Sequence, residues 1–239
     1  MERKQPVAII GAMEMEIEAL LGAMEEEESR VVAGLVFHRG KISGVDCVVA
    51  RCGAGKVNAA VCAQTMVCLY DPRLLINLGV AGGVDVEIGG LVVAQSCVQY
   101  DFDTTAVDPT PRGTILLAQP DGTDKEVLYF PCDERVGDIL AQEAQRIYGG
   151  VVRGVVATGD RFMADKDWSR RLGEEYGARA IEMEGGSVAQ VCCMNQIPCA
   201  VLRAISDNAN GDATVDFPTF ARSSSEKSAK LLEQALPLL

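Results

Sequence analysis

The sequence is short of the residues on which most acid–base chemistry rests. It holds one histidine, His38, in 239 residues. A serine–histidine–aspartate triad or a histidine-built zinc site is therefore a poor fit, and proton transfer falls to carboxylates. Aromatic residues make up only 5%, so the core is expected to be aliphatic, with cysteine and methionine as fillers. The cysteines are Cys47, Cys52, Cys62, Cys68, Cys97, Cys132, Cys192, Cys193 and Cys199, an odd number with no CxxC spacing. That argues against a disulfide framework and a structural zinc site, and suits a reducing cytosol. No apolar run approaches the 18 or so residues of a membrane span. Val7 to Ile10 is too short for the core of a signal peptide, so a cytoplasmic protein with no membrane partner is expected. Positive charge is scarce as well: 22 Lys and Arg stand against 34 Asp and Glu, a net charge of −12. Such a chain repels a phosphate backbone, which argues against nucleic acid as a partner. A nucleoside, having no phosphate, is not excluded. There is no internal repeat or low-complexity linker. The length suggests one large domain or two at most, able to bury roughly 70–75% of the unfolded surface.

What is present centres on residues 178–212. Ala200-Val201-Leu202 is short, apolar and bounded by Pro198 and Arg203, so it reads as a buried strand, and Ala178 to Ile181 is a shorter candidate. Between them Ser187 to Met194 has helical spacing. The unit reads as strand, helix, strand, with its strands expected to be parallel. Ligands sit beyond the carboxyl ends of such strands, where Glu182-Met183-Glu184 and Ser206-Asp207 fall. Glu184 alone also reads as a helix start and Asp207 as a turn cap. Together, with Arg203 four residues before Asp207, they point to a site, because buried carboxylates are costly unless paired or used.

The rest of the chain supplies further strand ends. Val7 to Ile10 is a strand ended by Gly11, and a helix follows from about Met13 with Ile17, Leu20, Leu21 and Met24 on one face. Glu14, Glu16 and Glu18 lie in its first turns; periodicity does not choose among them, and all three also suit the helix dipole. Glu25 to Glu28 reads as a solvated helix end. Gly34 to Gly40 and Cys47 to Ala50 read as strands joined at Ser43-Gly44. Arg51 to Val57 is a glycine turn opening a helix over 57–69; it is not a Walker loop, and by itself it reads as a tight turn. Leu74 to Leu78 is a strand running into Gly79-Val80-Ala81-Gly82-Gly83, which leaves room for a flat ligand. Leu91 to Ala94 is another strand, and residues 100–126 read as a long irregular segment. Val136 to Tyr148 reads as a helix, Val151 to Ala157 as a strand followed by Thr158 to Met163, and Phe220 to Leu238 as a closing helix. Phe162 reads equally as a core residue or a stacking platform.

Six segments resemble one family in order and approximate spacing. They are Gly11-Ala12-Met13-Glu14-Met15-Glu16, Gly53 to Ala60, Ala81-Gly82-Gly83, Gly159-Asp160-Arg161-Phe162, Glu182-Met183-Glu184 and Arg203-Ala204-Ile205-Ser206-Asp207. Each is weak alone; in register they resemble the 5′-methylthioadenosine/S-adenosylhomocysteine nucleosidases. The resemblance implies a nucleoside phosphorylase-like α/β fold of three layers, with a central twisted, mostly parallel mixed sheet flanked by helices. It implies a single domain over 1–239, a homodimer, no cofactor and no metal. The implied reaction is hydrolysis of the bond between adenine and a 5-thioribose. Glu16 would activate water, Asp207 would protonate the purine, and Glu184 would hold the ribose hydroxyls. Phe162 would stack on adenine, and backbone at Met163 would read its edge. Ala81, Gly82 and Met183 would line sugar and base, and Arg203 and Ser206 would position the acid and the water. Such chemistry builds positive charge on the sugar and negative charge on the base, which a carboxylate and a proton donor relieve. Asp207 must then hold a proton near neutrality, so burial should raise its pKa.

Two positions depart from the family pattern. Val80 stands where Ser or Thr is usual and cannot donate a side-chain hydrogen bond. Gly185-Gly186 follows Glu184 where helix-favouring small residues are usual, at about 1 kcal/mol per glycine. Other readings are a purine nucleoside phosphorylase, a hydrolase for a related nucleoside such as aminodeoxyfutalosine, and a non-catalytic nucleoside-binding protein. The first needs cationic groups for phosphate where Glu14, Glu16 and Val80 stand.

Overall fold

A computed structural model describes residues 5–209 and 213–239. Residues 210–212, the end of the central stretch, lie outside the described residues. The chain opens with β1 (Val7–Gly11), α1 (Glu14–Gly22), β2 (Glu25–Val32), β3 (Leu35–Ile42), β4 (Val45–Arg51) and α2 (Lys56–Tyr70). The middle holds β5 (Leu74–Gly83), β6 (Leu91–Gln99), β7 (Ile115–Ala118), β8 (Asp124–Val127), β9 (Phe130–Pro131), α3 (Glu134–Tyr148) and β10 (Val152–Thr158). It ends with α4 (Lys166–Tyr176), β11 (Ala178–Glu182), α5 (Gly185–Asn195), β12 (Cys199–Asp207), α6 (Ala213–Ala235) and a short 3₁₀ turn (Leu236–Leu238).

The strands form one mixed sheet in the order β11-β10-β6-β12-β5-β1-β4-β3-β2, with β9 beside β6. Alternation along each central strand splits the core into two faces. In β1, Val7 and Ile9 join α1, α3 and α6 through Ile17, Leu20, Val136, Leu140, Leu231 and Leu232. Ala8 and Ile10 face the other way, towards Ala59, Cys62 and Met66 of α2 and Val188 and Cys192 of α5. Helices thus cover both faces, giving three layers. Among the described residues no helix is long and apolar enough to cross a membrane.

The central unit differs from expectation in one respect. β11 pairs antiparallel with β5 and β12 pairs parallel with it, so β11 and β12 run in opposite senses. The cause is closure: β11 also pairs with β10, and the strands from β11 through β10, β6, β12 and β5 close on themselves. Closure happens at the glycines that end β5. Gly82 is paired with Ile181 on one side and Asp207 on the other. A Cβ on Gly82 would lie 2.9 Å from an Asp207 carboxylate oxygen, and one on Gly83 would lie 2.3 Å from the Val86 carbonyl. The ends of β11 and β12 therefore meet across Gly82 rather than side by side.

Three local corrections follow. The acidic run at residues 25–28 belongs to an edge strand, not a helix end. Glu25 is in register with Lys41 and Glu28 with Arg39, so cross-strand cations balance the acids. The segment 100–126 is not wholly irregular, since β7 and β8 pair as a hairpin. α4 was not expected at all: it buries only Ser169, Leu172 and Tyr176, with Gly173 in its interior.

Candidate active site

Of the three acids in α1, Glu16 alone is buried. Glu14 lies exposed 3.6 Å from Arg51, and Glu18 pairs with Arg222 at 3.1 Å on the surface. The Glu16 carboxylate folds back over the β1–α1 turn. Its Oε2 accepts the N–H groups of Ala12 (2.6 Å) and Met13 (2.9 Å), and its Oε1 accepts that of Val80 (3.0 Å). Gly79 gives it space, since a Cβ there would stand 2.7 Å from Oε1. Burial raises the Glu16 pKa, against the pull of these amides and of Arg203. Val80 thus serves through its backbone.

Asp207 ends β12. Its Oδ2 accepts the Ser206 hydroxyl at 3.1 Å, its Oδ1 accepts the Ala209 N–H at 2.8 Å, and burial raises its pKa. Glu184 sits at the N-cap of α5 and accepts the Gly55 N–H at 2.8 Å. Burial, and next the charge of Glu182, push its pKa up to about 7, with Arg203 opposing. The glycine turn before α2 therefore offers its amide to a carboxylate of its own chain. That turn is pinned from outside: the Lys56 N–H donates to Asp160 (2.8 Å), and Lys56 Nζ and the Asp160 N–H reach Asp101 at 2.6 and 2.9 Å.

Glu16, Glu184 and Asp207 line one cavity of about 180 Å³, together with Ala81, Gly82, Phe162, Met163, Met183 and Ser206. Phe162 is 44% exposed, so it is not a core residue. It stands at the cavity wall with Phe217 of α6 edge-on, ring centroids 5.6 Å apart at 83°.

Arg203 is placed differently from expectation. It is 1% exposed and off the cavity wall. It donates to the carbonyls of Asn77 (3.1 Å) and Leu202 (3.0 Å), to the Asn77 side chain, and to Glu182 at 2.5 Å. Ser206 holds Asp207; none of these Arg203 bonds does. The reason is an irregularity in β12: its register against β5 shifts between Ile205 and Asp207, so the even spacing from 203 to 207 no longer puts the two on one face.

Glu182, Asn77 and Phe217 went unassigned in the sequence. Glu182 is the hub of the floor: it takes Arg203, the Thr158 hydroxyl, and the N–H groups of Glu184 (2.9 Å) and Gly185 (2.7 Å). Its signal was its place two residues from Glu184. Asn77 was legible as the one polar residue of a buried strand. Phe217 reaches the cavity from a distant helix and carried no local signal.

A family model for the phosphorylase superfamily matches residues 6–237. A 5′-methylthioadenosine/S-adenosylhomocysteine nucleosidase of Glaesserella parasuis is 33% identical over 95% of this chain and 96% of its own. The chain belongs to this nucleosidase family. The family's fold is shared in full: a Helicobacter pylori nucleosidase mutant, crystallised with 5′-methylthioadenosine in its active site, superposes with a TM-score of 0.91. It is 32% identical, over 99% of this chain and all of that one. An aminodeoxyfutalosine nucleosidase of Helicobacter pylori is 33% identical over 96% of both chains. Nucleosidases are N-glycosyl hydrolases, and so is this protein.

Proposed function

We propose that this hydrolase splits 5′-methylthioadenosine and S-adenosylhomocysteine into adenine and the corresponding 5-thioribose. The observation that carries the reading is the convergence of Glu16, Glu184 and Asp207 on one cavity. Glu16 takes a proton from water; burial raises its basicity while three backbone amides hold it still. Asp207, its pKa also raised, delivers a proton to the purine as the glycosidic bond breaks. Glu184 accepts from the ribose hydroxyls with the oxygen that Gly55 leaves free. Adenine stacks on Phe162, with backbone at Met163 reading its edge, and Ala81, Gly82 and Met183 wall the sugar and base. Ser206 fixes the acid, and Arg203 acts through Glu182 beneath the pocket. The cavity wall carries four acids, Glu16, Glu182, Glu184 and Asp207, and one cation, Arg161. That balance disfavours a phosphate nucleophile.

The chain acts as a single domain and a cytoplasmic homodimer in this reading. Val57, Val61 and Val107 are exposed apolar side chains that a second copy would cover. Light scattering of the purified protein tests the dimer.

The enzymatic test follows free base from methylthioadenosine, adenosylhomocysteine and inosine, with and without phosphate. Adenine released from the two thio-nucleosides at a phosphate-independent rate is expected. A rate that needs phosphate and yields ribose 1-phosphate would overturn the reading in favour of a phosphorylase. The Helicobacter relative supports a second substrate, aminodeoxyfutalosine; comparing kcat/KM for the three adenine nucleosides decides which is preferred.

A further inference from the structure

Away from the cavity, four cysteines gather where α5, β6, β9 and β12 pack. Cys97, Cys192 and Cys199 are buried in one core cluster, and Cys132 packs against it. The Cys132 thiol neighbours those of Cys97 and Cys199, and Cys199 also neighbours Cys192. Backbone bonds hold this arrangement. The Asp133 N–H donates to the Cys199 carbonyl at 2.7 Å and the Cys132 N–H to the Gln95 carbonyl at 3.0 Å, and Cys97 is in register with Phe130. The Cys199 thiol itself donates to the Pro131 carbonyl at 3.6 Å. Residues on both sides of Cys132 thus touch Cys199, at the spacing of neighbouring strands, which a disulfide can span.

The cluster does not resemble a metal site: among the described residues no group of three or more cysteines, histidines or acids is arranged to hold a metal ion. Only Cys132 of the four reaches the surface in part. The hydrolysis does not use the cluster. We propose that it is a site of reversible oxidation by peroxide, with Cys132 as the reacting thiol and Cys199 as its partner. The Cys132 thiolate attacks one peroxide oxygen, the O–O bond breaks, hydroxide leaves, and a sulfenic acid remains. The Cys199 sulfur then attacks the Cys132 sulfur; the S–O bond breaks, water leaves, and a disulfide forms. Both sulfurs are oxidised by one electron each, and the two peroxide oxygens end as water. The neighbouring Cys199 and Cys97 thiols hold Cys132 well below the usual thiol range, against burial, which favours the thiolate that reacts.

The test treats the folded, reduced protein with hydrogen peroxide and reads intact mass and peptide maps. Cys68, the exposed thiol, is the internal reference. The expected result is a loss of about 2 Da, reversed by dithiothreitol, mapping to a Cys132–Cys199 bridge and forming at least tenfold faster than Cys68 is oxidised. In Cys199→Ser the reaction should stop at a sulfenic acid on Cys132 that a dimedone probe captures. In Cys132→Ser no bridge should form. Oxidation of Cys68 before Cys132, or a bridge from Cys132 to Cys97, would overturn the assignment. Should either serine variant fail to fold, the wild-type peptide map alone decides.

Discussion

The Gly186 N–H donates to the Thr158 hydroxyl at 2.7 Å, and a methyl group on Gly186 would stand 2.9 Å from that same oxygen. Gly186, costly for a helix start, is therefore what lets α5 close on β10. A Cβ on Gly186 would also press on Gln99 at 2.8 Å. Helix propensity favours Gly186→Ala by about 1 kcal/mol, while overpacking costs about 1–3 kcal/mol. The variant is expected to lose about 1 kcal/mol in urea unfolding. A gain in stability would show that Thr158 yields freely.

Glu184 makes stability depend on pH in a direction opposite to that of an ordinary ion-paired acid. Its pKa rises on folding from 4.5 to about 7. The folded state therefore binds the extra proton, and stability falls as pH rises through that window. Glu184→Gln keeps an acceptor for the Gly55 N–H and removes the titration. The variant should exceed the parent by on the order of 3 kcal/mol at pH 8 and by little at pH 4. Urea unfolding at both values checks this; an equal difference at both would mean that Glu184 titrates normally.

Much of the layout was legible because local chemistry and tertiary role coincide. Buried runs such as Val7 to Ile10 can only be central strands, and acids placed just past them fall at one sheet edge. What escaped were features set by distant partners. The glutamates of β2 read as helical until Lys41 and Arg39 appear across the ladder. α4 offers little apolar face, and its Gly173 argues against a helix until Val84 is seen packing there, 2.9 Å from where a Cβ would be. Closure of the sheet at Gly82 is likewise invisible in strand order, yet it brings Asp207 opposite Ile181. Arg203 looked like a partner of Asp207 by spacing alone; the register shift between Ile205 and Asp207 breaks that shared face, and Arg203 binds Glu182 instead.

The Arg203–Glu182 pair tests whether the floor of the cavity is held by charge. Both side chains are almost wholly buried, 2.5 Å apart. Arg203→Met leaves Glu182 without its cation and should cost about 3–5 kcal/mol. Adding Glu182→Gln removes the stranded charge, and most of that loss should return. Chemical unfolding of the single and double variants gives the coupling. Additive effects would mean that the pair is held by packing, not by charge.

The proposed reaction needs Asp207 and Glu16 in opposite protonation states. Both pKa values are raised by burial. Glu16, however, is opposed by three amides and Arg203, whereas Asp207 is opposed by one amide and one hydroxyl and is pushed further up by Asp216. In the proposed mechanism Asp207 is the acid and Glu16 the base. As pH rises through its pKa, the proton for the purine is lost, and kcat/KM should fall on the alkaline side. As pH falls through that of Glu16, the base is lost, and the acid side should fall. Asp207→Asn can still accept the Ala209 N–H but has no proton to give. Turnover should drop by about 10²–10⁴, with nucleoside binding largely kept and the alkaline limb of the residual rate flattened. Glu16→Gln should remove the acid limb instead. Steady-state rates from pH 5 to 9, with binding measured by calorimetry, separate these outcomes. An alkaline limb that survives in Asp207→Asn would assign the acid to another group.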